Sequence, residues 1–348
     1  MNMTTEIETE TKNEHIEPQE AESQEPSQPH HHKVNPIVIK SAFILLVFIL
    51  GIGSGFFMGR MSMKREIASA DSQSANESSA EAAPTKSGAM VDMDQINPPD
   101  GYTIPATFGD IGPQMVAAGA IDMTKFTNVY RQQNKPLTDE QMAVLTKDVS
   151  SNVVINPENA YFLLNFFWAL GLTNQNPILT EGPMVSGGID KVGGFASTGG
   201  WTIGTKSPTE LYASTKIMTL TDEQQARLLE VASVVYRPCC NNPTHFPDCN
   251  HGMAMLGLLE LMASQGASTD QMFDAAKYVT AFWYPQQMLE VAAVFKVSQN
   301  VDFAKADSRQ VVSNQYASGS GFQAVHQYLA NNGLLQQAPS SGGSCGVQ

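Results

Sequence analysis

NPENAYFLLNFFWALGL, residues 156–172, is apolar or aromatic at nearly every position after its opening Asn-Pro-Glu. Asn156, Pro157 and Glu158 supply a helix start. The run shows no polar stripe of the kind a surface helix carries, and a helix that is apolar on every side has to lie inside. The spacing predicts a buried central helix with other helices packed around it, so the expected fold class is mainly α.

Working outward, the pentapeptide LTDEQ occurs at Leu137 and again at Leu220. In each copy a Thr is followed three positions later by Gln, the pattern of a capping box, and an apolar helix follows further on. Two related helix-turn-helix units are expected, at 137–172 and 220–266. The segment before the first, residues 101–136, reads as short helices, one of them capped by Asp122. Between the units, residues 181–212 carry paired glycines and read as a long Gly-rich insertion, a loop or small hairpin. Within it, FASTGGW (195–201) is expected to help wall a site. Beyond residue 266 a helix is ended by Pro285 and followed by another, with Phe282, Trp283 and Tyr284 placed in the core. The helical domain as a whole is expected over 96–335.

The N-terminal region has a different composition. Residues 1–35 are rich in Glu, Gln, Pro and Ser and cannot offset the entropy of folding, so they read as a disordered acidic tail. Residues 36–60 contain an uncharged apolar run from Ser41 to Met58, long enough to cross hydrocarbon, and read as an uncleaved single-pass transmembrane anchor. Gly51, Gly55 and Gly59 fall on one face of that helix, a spacing that lets two copies pair as a homodimer in lipid. A Ser/Ala-rich stalk over 61–95 follows. Flanking positive charge leans by one residue toward a cytoplasmic C-terminal side, whereas the stalk and the clustered cysteines favour a domain outside the cytoplasm at the cell membrane. The second assignment is the expectation adopted.

The formal net charge of -14 excludes nucleic acid as a natural partner, since its recognition requires basic surface. A protein partner is not specified. No His-Glu-x-x-His, Gly-x-Ser-x-Gly or phosphate-loop pattern is present, so no enzyme class is assigned.

The chemistry concentrates in YRPCCNNPTHFPDCNHGM, residues 236–253, which holds three of the four cysteines. Asp248 or Asn250 is expected to cap a helix starting near Cys249. That places the Cys249 thiol at the positive end of a helix dipole, where a thiolate is favoured. Cys239, Cys240, Cys249 and His251 are the candidate metal ligands, with His245 and Cys345, in the flexible tail 336–348, as lesser candidates. Thiolate and imidazole together suit Zn, Cu(I) or an Fe-S centre. Thiol-disulfide exchange and a structural disulfide in a non-catalytic interaction domain stay open as alternatives.

The Cys-Cys…Asp-Cys-Asn-His arrangement resembles two bacterial families. One is the membrane-anchored proteins with a PCYCGC motif, which place a cysteine cluster, a further Cys and an apolar helix in that order. The other is the cytochrome c maturation thiol reductase, a small helical bundle in which Cys-x-x-Cys precedes Asp-Ser-Asn at a helix start. Here Cys239 and Cys240 stand in the place of the cysteine pair, and Asp248, Cys249 and Asn250 in that of Asp-Ser-Asn. An adjacent Cys-Cys pair forms a strained ring on oxidation, which sets this chain apart from the reductase. CNHGMAMLGLLELMA (249–263) is also similar to uncharacterised bacterial membrane-anchored proteins, a resemblance that implies no particular activity.

Overall fold

The computed structural model describes residues 90–336. The acidic tail, the anchor at 36–60 with its glycines, most of the stalk and Cys345 lie outside the described residues.

Among the described residues, the helices of eight residues or more are α1 (Ile111–Ala118), α2 (Met123–Gln132), α3 (Asp139–Thr146), α4 (Ala160–Thr173), α5 (Asp222–Val234), α6 (Asn250–Ser264), α7 (Thr269–Trp283), α8 (Pro285–Gln299) and α9 (Gly319–Asn331). The mainly α expectation holds. Helix α4 is buried at every position except Tyr161, and α6 is buried without interruption from His251 to Ala263. These two helices form the centre of the fold and pack on each other.

Glycine sets how closely they approach. A Cβ added at Gly171 would lie 2.1 Å from the Met253 carbonyl oxygen, and one at Gly257 would lie 2.4 Å from that of Phe167. The backbones touch there, and no larger side chain fits. At 1.5 Å per residue each helix is only about 20 Å long. Among the described residues no helix is long and apolar enough to cross a membrane, so these apolar runs are core helices.

Both LTDEQ copies start helices through complete capping boxes, Thr138 with Gln141 and Thr221 with Gln224, and Ser268 with Gln271 starts α7 in the same way. Pro285 separates α7 from α8 as expected, and Phe282, Trp283 and Tyr284 are buried. Asp122 caps α2.

Three expectations need correction. Residues 102–109 are a strand, β1 (Tyr102–Gly109), and a second strand, β2 (Val149–Ile155), pairs with it antiparallel, Tyr102 opposite Ile155. Ile104, Ala106 and Phe108 alternate inward, but Pro105 interrupts the strand pattern and the register shifts between Thr103 and Thr107. The Gln265 side chain serves Thr107 as a further strand partner, accepting from its N–H at 2.8 Å and donating to its carbonyl at 2.9 Å. Second, β2 stands between α3 and α4 where a turn was expected, so 137–172 is helix-strand-helix while 220–266 is helix-loop-helix. Third, 181–212 is neither a hairpin nor an open loop. It winds through short helical turns at Pro183–Val185, Ile189–Gly194, Ala196–Gly199 and Pro208–Leu211, anchored by the buried Trp201 against Trp168. A further one-turn helix, Met93–Ile96, extends the fold into the end of the expected stalk.

Candidate metal centre

The chain leaves α5 at Val234 and enters α6 at Asn250, and the intervening loop carries the cysteines. Both ends of the loop are held by backbone bonds. Thr244 N–H donates to the Val235 carbonyl and His245 N–H to that of Ala232, while Tyr236 N–H reaches Val312. The tip is tied to the start of α9, where Gly319 N–H donates to the Cys240 carbonyl at 2.7 Å and Ser320 N–H to Asn241 Oδ1 at 2.8 Å.

At the centre of the loop is Arg237, only 3 % exposed. Its Nη1 donates to the Asn242 carbonyl at 2.8 Å, its Nη2 to the Phe246 carbonyl at 3.1 Å and to Asp248 Oδ1 at 2.5 Å, and its Nε to Cys249 Sγ at 3.0 Å. Asn242 Nδ2 holds the other Asp248 oxygen at 2.9 Å. A buried guanidinium has to be paired, and here its planar fork organises three separate parts of the loop.

Around this hub the Sγ atoms of Cys239, Cys240 and Cys249 all lie within 4.8 Å of one another, and Cys239 and Cys249 are 3.5 Å apart. Two thiolates on one zinc-sized ion, each about 2.3 Å from it, sit roughly 4 Å apart. The adjacent pair Cys239-Cys240 therefore presents both sulfurs to the same point as Cys249. Cys239 is the exposed member, and the Tyr284 side chain, from the N-cap of α8, interacts with it in the sense that favours its thiolate.

The three sulfurs differ in charge. Cys249 is itself the N-cap of α6, its Sγ accepting from Gly252 N–H at 3.4 Å, so the expected caps Asp248 and Asn250 do not serve. Hydrogen bonds from Cys239 and Cys240 hold its pKa well below the usual thiol range. The Arg237 guanidinium adds to this, and together these outweigh burial. Cys239 is pushed up, because its proton is shared with Cys240 and Cys249. For Cys240 the bond to Cys239 lowers the pKa, but the bond to Cys249 and burial prevail, and the net direction is upward. The directions of the three shifts favour negative charge on Cys249 first, beside the Arg237 guanidinium. Burial opposes the charge on Arg237, and the neighbouring Cys249 outweighs it.

The two candidate histidines are not in the group. The His251 ring packs against Tyr284 at 4.6 Å and Trp283 at 5.9 Å, with Nδ1 paired to Asn250 Oδ1 at 2.9 Å. Burial lowers its pKa to about 4, so it is a neutral core imidazole. His245 is half-buried in the loop, and its ring nitrogens do not join the three sulfurs. Met253 and Met255 are core residues.

FASTGGW does wall the loop, as expected: Ser197 N–H donates to the Asp248 carbonyl at 3.1 Å, and Phe195 meets Phe246 edge to face at 5.5 Å. Sequence reasoning missed Arg237 and Tyr284. A basic residue two positions before Cys239 in a Lys/Arg-poor chain was the available signal for Arg237. Nothing local marked Tyr284, which arrives from 35 residues beyond Cys249.

No family model, curated protein or solved structure matches this chain.

Proposed function

We propose that the chain binds and handles a soft metal ion through Cys239, Cys240 and Cys249. In this reading the anchor at 36–60 holds the domain outside the cytoplasm at the cell membrane. The observation that carries the metal assignment is the convergence of three sulfurs on one point, since a redox pair needs two and a structural disulfide needs two. Thiolate ligands select Zn, Cu(I) or an Fe-S centre over hard cations. One sulfur already lies in a positive environment, and the loop is organised by Arg237, so the site is assembled before an ion arrives. Arg237, Asp248 and Asn242 then act around the ligands, fixing their orientation.

The 3.5 Å approach of Cys239 to Cys249 favours thiol-disulfide exchange as the second reading. The adjacent pair Cys239-Cys240 is the weaker partner set for it, because that ring is strained when closed.

The test is metal content. Full-length chain prepared anaerobically is loaded with Zn(II) or Cu(I), dialysed, and compared with Cys249→Ser and Cys239→Ser by elemental analysis beside the helical circular dichroism signal. Wild type retains metal, both variants lose it, and the helical signal persists, because α4 and α6 are packed by apolar side chains. His251→Ala retains metal. A wild-type protein that holds neither ion removes the assignment. Thiol labelling that then tracks ambient redox potential reversibly would establish the second reading.

A further inference from the structure

We propose that the three-thiol group takes a three-coordinate, pyramidal ion of the trivalent arsenic and antimony class, held by Cys239, Cys240 and Cys249 with no fourth ligand. This rests on the metal reading of the same three residues and names the class of ion they suit.

The sulfur spacing separates the candidate ions. With each sulfur about 2.3 Å from its ion, two sulfurs sit about 4.0 Å apart in a flat trigonal complex and about 3.8 Å apart at the tetrahedral angle. A trivalent ion of this class keeps a lone pair, which pushes its three bonds together into a pyramid and brings the sulfurs closer still. Cys239 and Cys249 stand 3.5 Å apart, on the pyramidal side of both values, and Cys240 Sγ lies within 4.8 Å of each. The adjacent pair Cys239-Cys240, whose disulfide ring is strained, gains an atom in that ring when an ion sits between the sulfurs.

The other donors near the group are already engaged. Asp248 Oδ1 is 3.8 Å from Cys240 Sγ, but Arg237 Nη2 holds that oxygen at 2.5 Å and Asn242 Nδ2 holds the other at 2.9 Å. The His251 ring packs on Tyr284, with Nδ1 on Asn250 Oδ1. Among the described residues no further His, Cys, Asp or Glu joins the three sulfurs. A pyramidal ion needs none, because its three bonds point to one side and its lone pair occupies the other.

Charge points the same way. Arg237 and Asp248 form an ion pair beside the sulfurs, so the pair adds no net charge although its Nε faces Cys249. Three thiolates around a trivalent ion sum to zero. Around Zn(II) they leave one negative charge and around Cu(I) two, in a partly buried loop of a chain whose net charge is already -14. Soft thiolate ligands suit the trivalent ion as well as they suit the other two.

The loading step is a ligand exchange that balances without an electron. Arsenous acid, As(OH)3, is neutral near neutral pH. Each thiol gives its proton to one hydroxide, which leaves as water while a sulfur-arsenic bond forms. Three thiols and one arsenous acid give one tris-thiolate complex and three waters. Cys239, the exposed member, makes the first bond, and Cys240 and Cys249 then close on a tethered ion.

The experiment uses arsenite as the probe, added to the full-length chain in mild detergent, reduced by a phosphine and kept anaerobic. Bound arsenic is counted by elemental analysis, its sulfur neighbours by X-ray absorption, and folding is followed by the helical circular dichroism signal. Wild type is expected to bind one arsenic per chain, with three sulfurs and no oxygen. Cys239→Ser, Cys240→Ser and Cys249→Ser are each expected to bind roughly a hundredfold more weakly, because one tethered contact is lost. Cys345→Ser is expected to match wild type. An equal concentration of Zn(II), which binds when offered alone, is expected to leave the arsenic in place. If Cys240→Ser binds as tightly as wild type, or Cys345→Ser loses a sulfur neighbour, the three-coordinate assignment is overturned. Zn(II) that displaces the arsenic, or Zn(II) bound where arsenite is refused, overturns the inference and leaves the metal reading intact. A wild type that takes neither ion removes both.

Discussion

Arg237 donates its Nε hydrogen to Cys249 Sγ across 3.0 Å while its other nitrogens hold Asp248 and two loop carbonyls. Replacing it with Met leaves those acceptors unpaired in a largely buried setting, and the expected loss is about 3 kcal/mol. Arg237→Lys should fall between, keeping the charge but not the fork. Gly252→Ala acts on the same group, because its Cβ would lie 2.5 Å from the guanidinium carbon. Urea denaturation of the reduced, metal-free protein measures all three. An Arg237→Met protein within about 0.5 kcal/mol of wild type would show that the guanidinium does not organise the loop.

The crossing of α4 and α6 makes a second prediction. Gly171→Ala and Gly257→Ala each force the two backbones apart and should cost about 1–3 kcal/mol or more. The double variant should cost less than the sum, since both act on one contact. Gly194→Ala is the control, because a Cβ there meets nothing within 4 Å. Equal stability of the Gly257 and Gly194 variants would mean that the helices are not in backbone contact.

Glu260 sits on α6, fully buried, with Asn174 Nδ2 donating to its Oε2 at 3.1 Å and Oε1 unpartnered. Burial raises its pKa well above the usual carboxylate range. The native state then keeps a proton that the unfolded chain releases near pH 4.3. Stability contributed by this group is full below that pH and falls as pH rises from there toward the folded pKa, by up to about 1.4 kcal/mol per pH unit. Glu260→Gln removes the titration while keeping an acceptor for Asn174. Its stability-pH curve should separate from wild type increasingly upward of pH 4.3, with the variant the more stable. Parallel curves would show that Glu260 does not stay protonated.

The membrane placement is tested on cells. Protease added to intact cells should release a fragment beginning within the stalk, because its small, polar residues are of the kind that proteases cleave. Protection until the cells are lysed would place the domain on the cytoplasmic side.

What could be read along the chain was whatever depends on near neighbours. The nearly continuous apolar run within 156–172 announced a core helix, the Thr…Gln spacing of LTDEQ announced two helix starts, and Pro285 announced a break; each is a local rule, and each element is where it was expected. β1 was lost because Pro105 hides a strand pattern whose partner lies some 50 residues away, and pairing at that distance leaves no local mark. The cysteines were legible as a cluster for the same reason that limited the assignment: residue type and spacing give a ligand set but not its geometry. Only the tertiary structure turned His251 into the aromatic core, made Cys249 its own helix cap, and brought Arg237 and Tyr284 to the sulfurs. Those outcomes depend on where α6 and α8 pack, and packing is fixed by contacts among residues far apart in the chain.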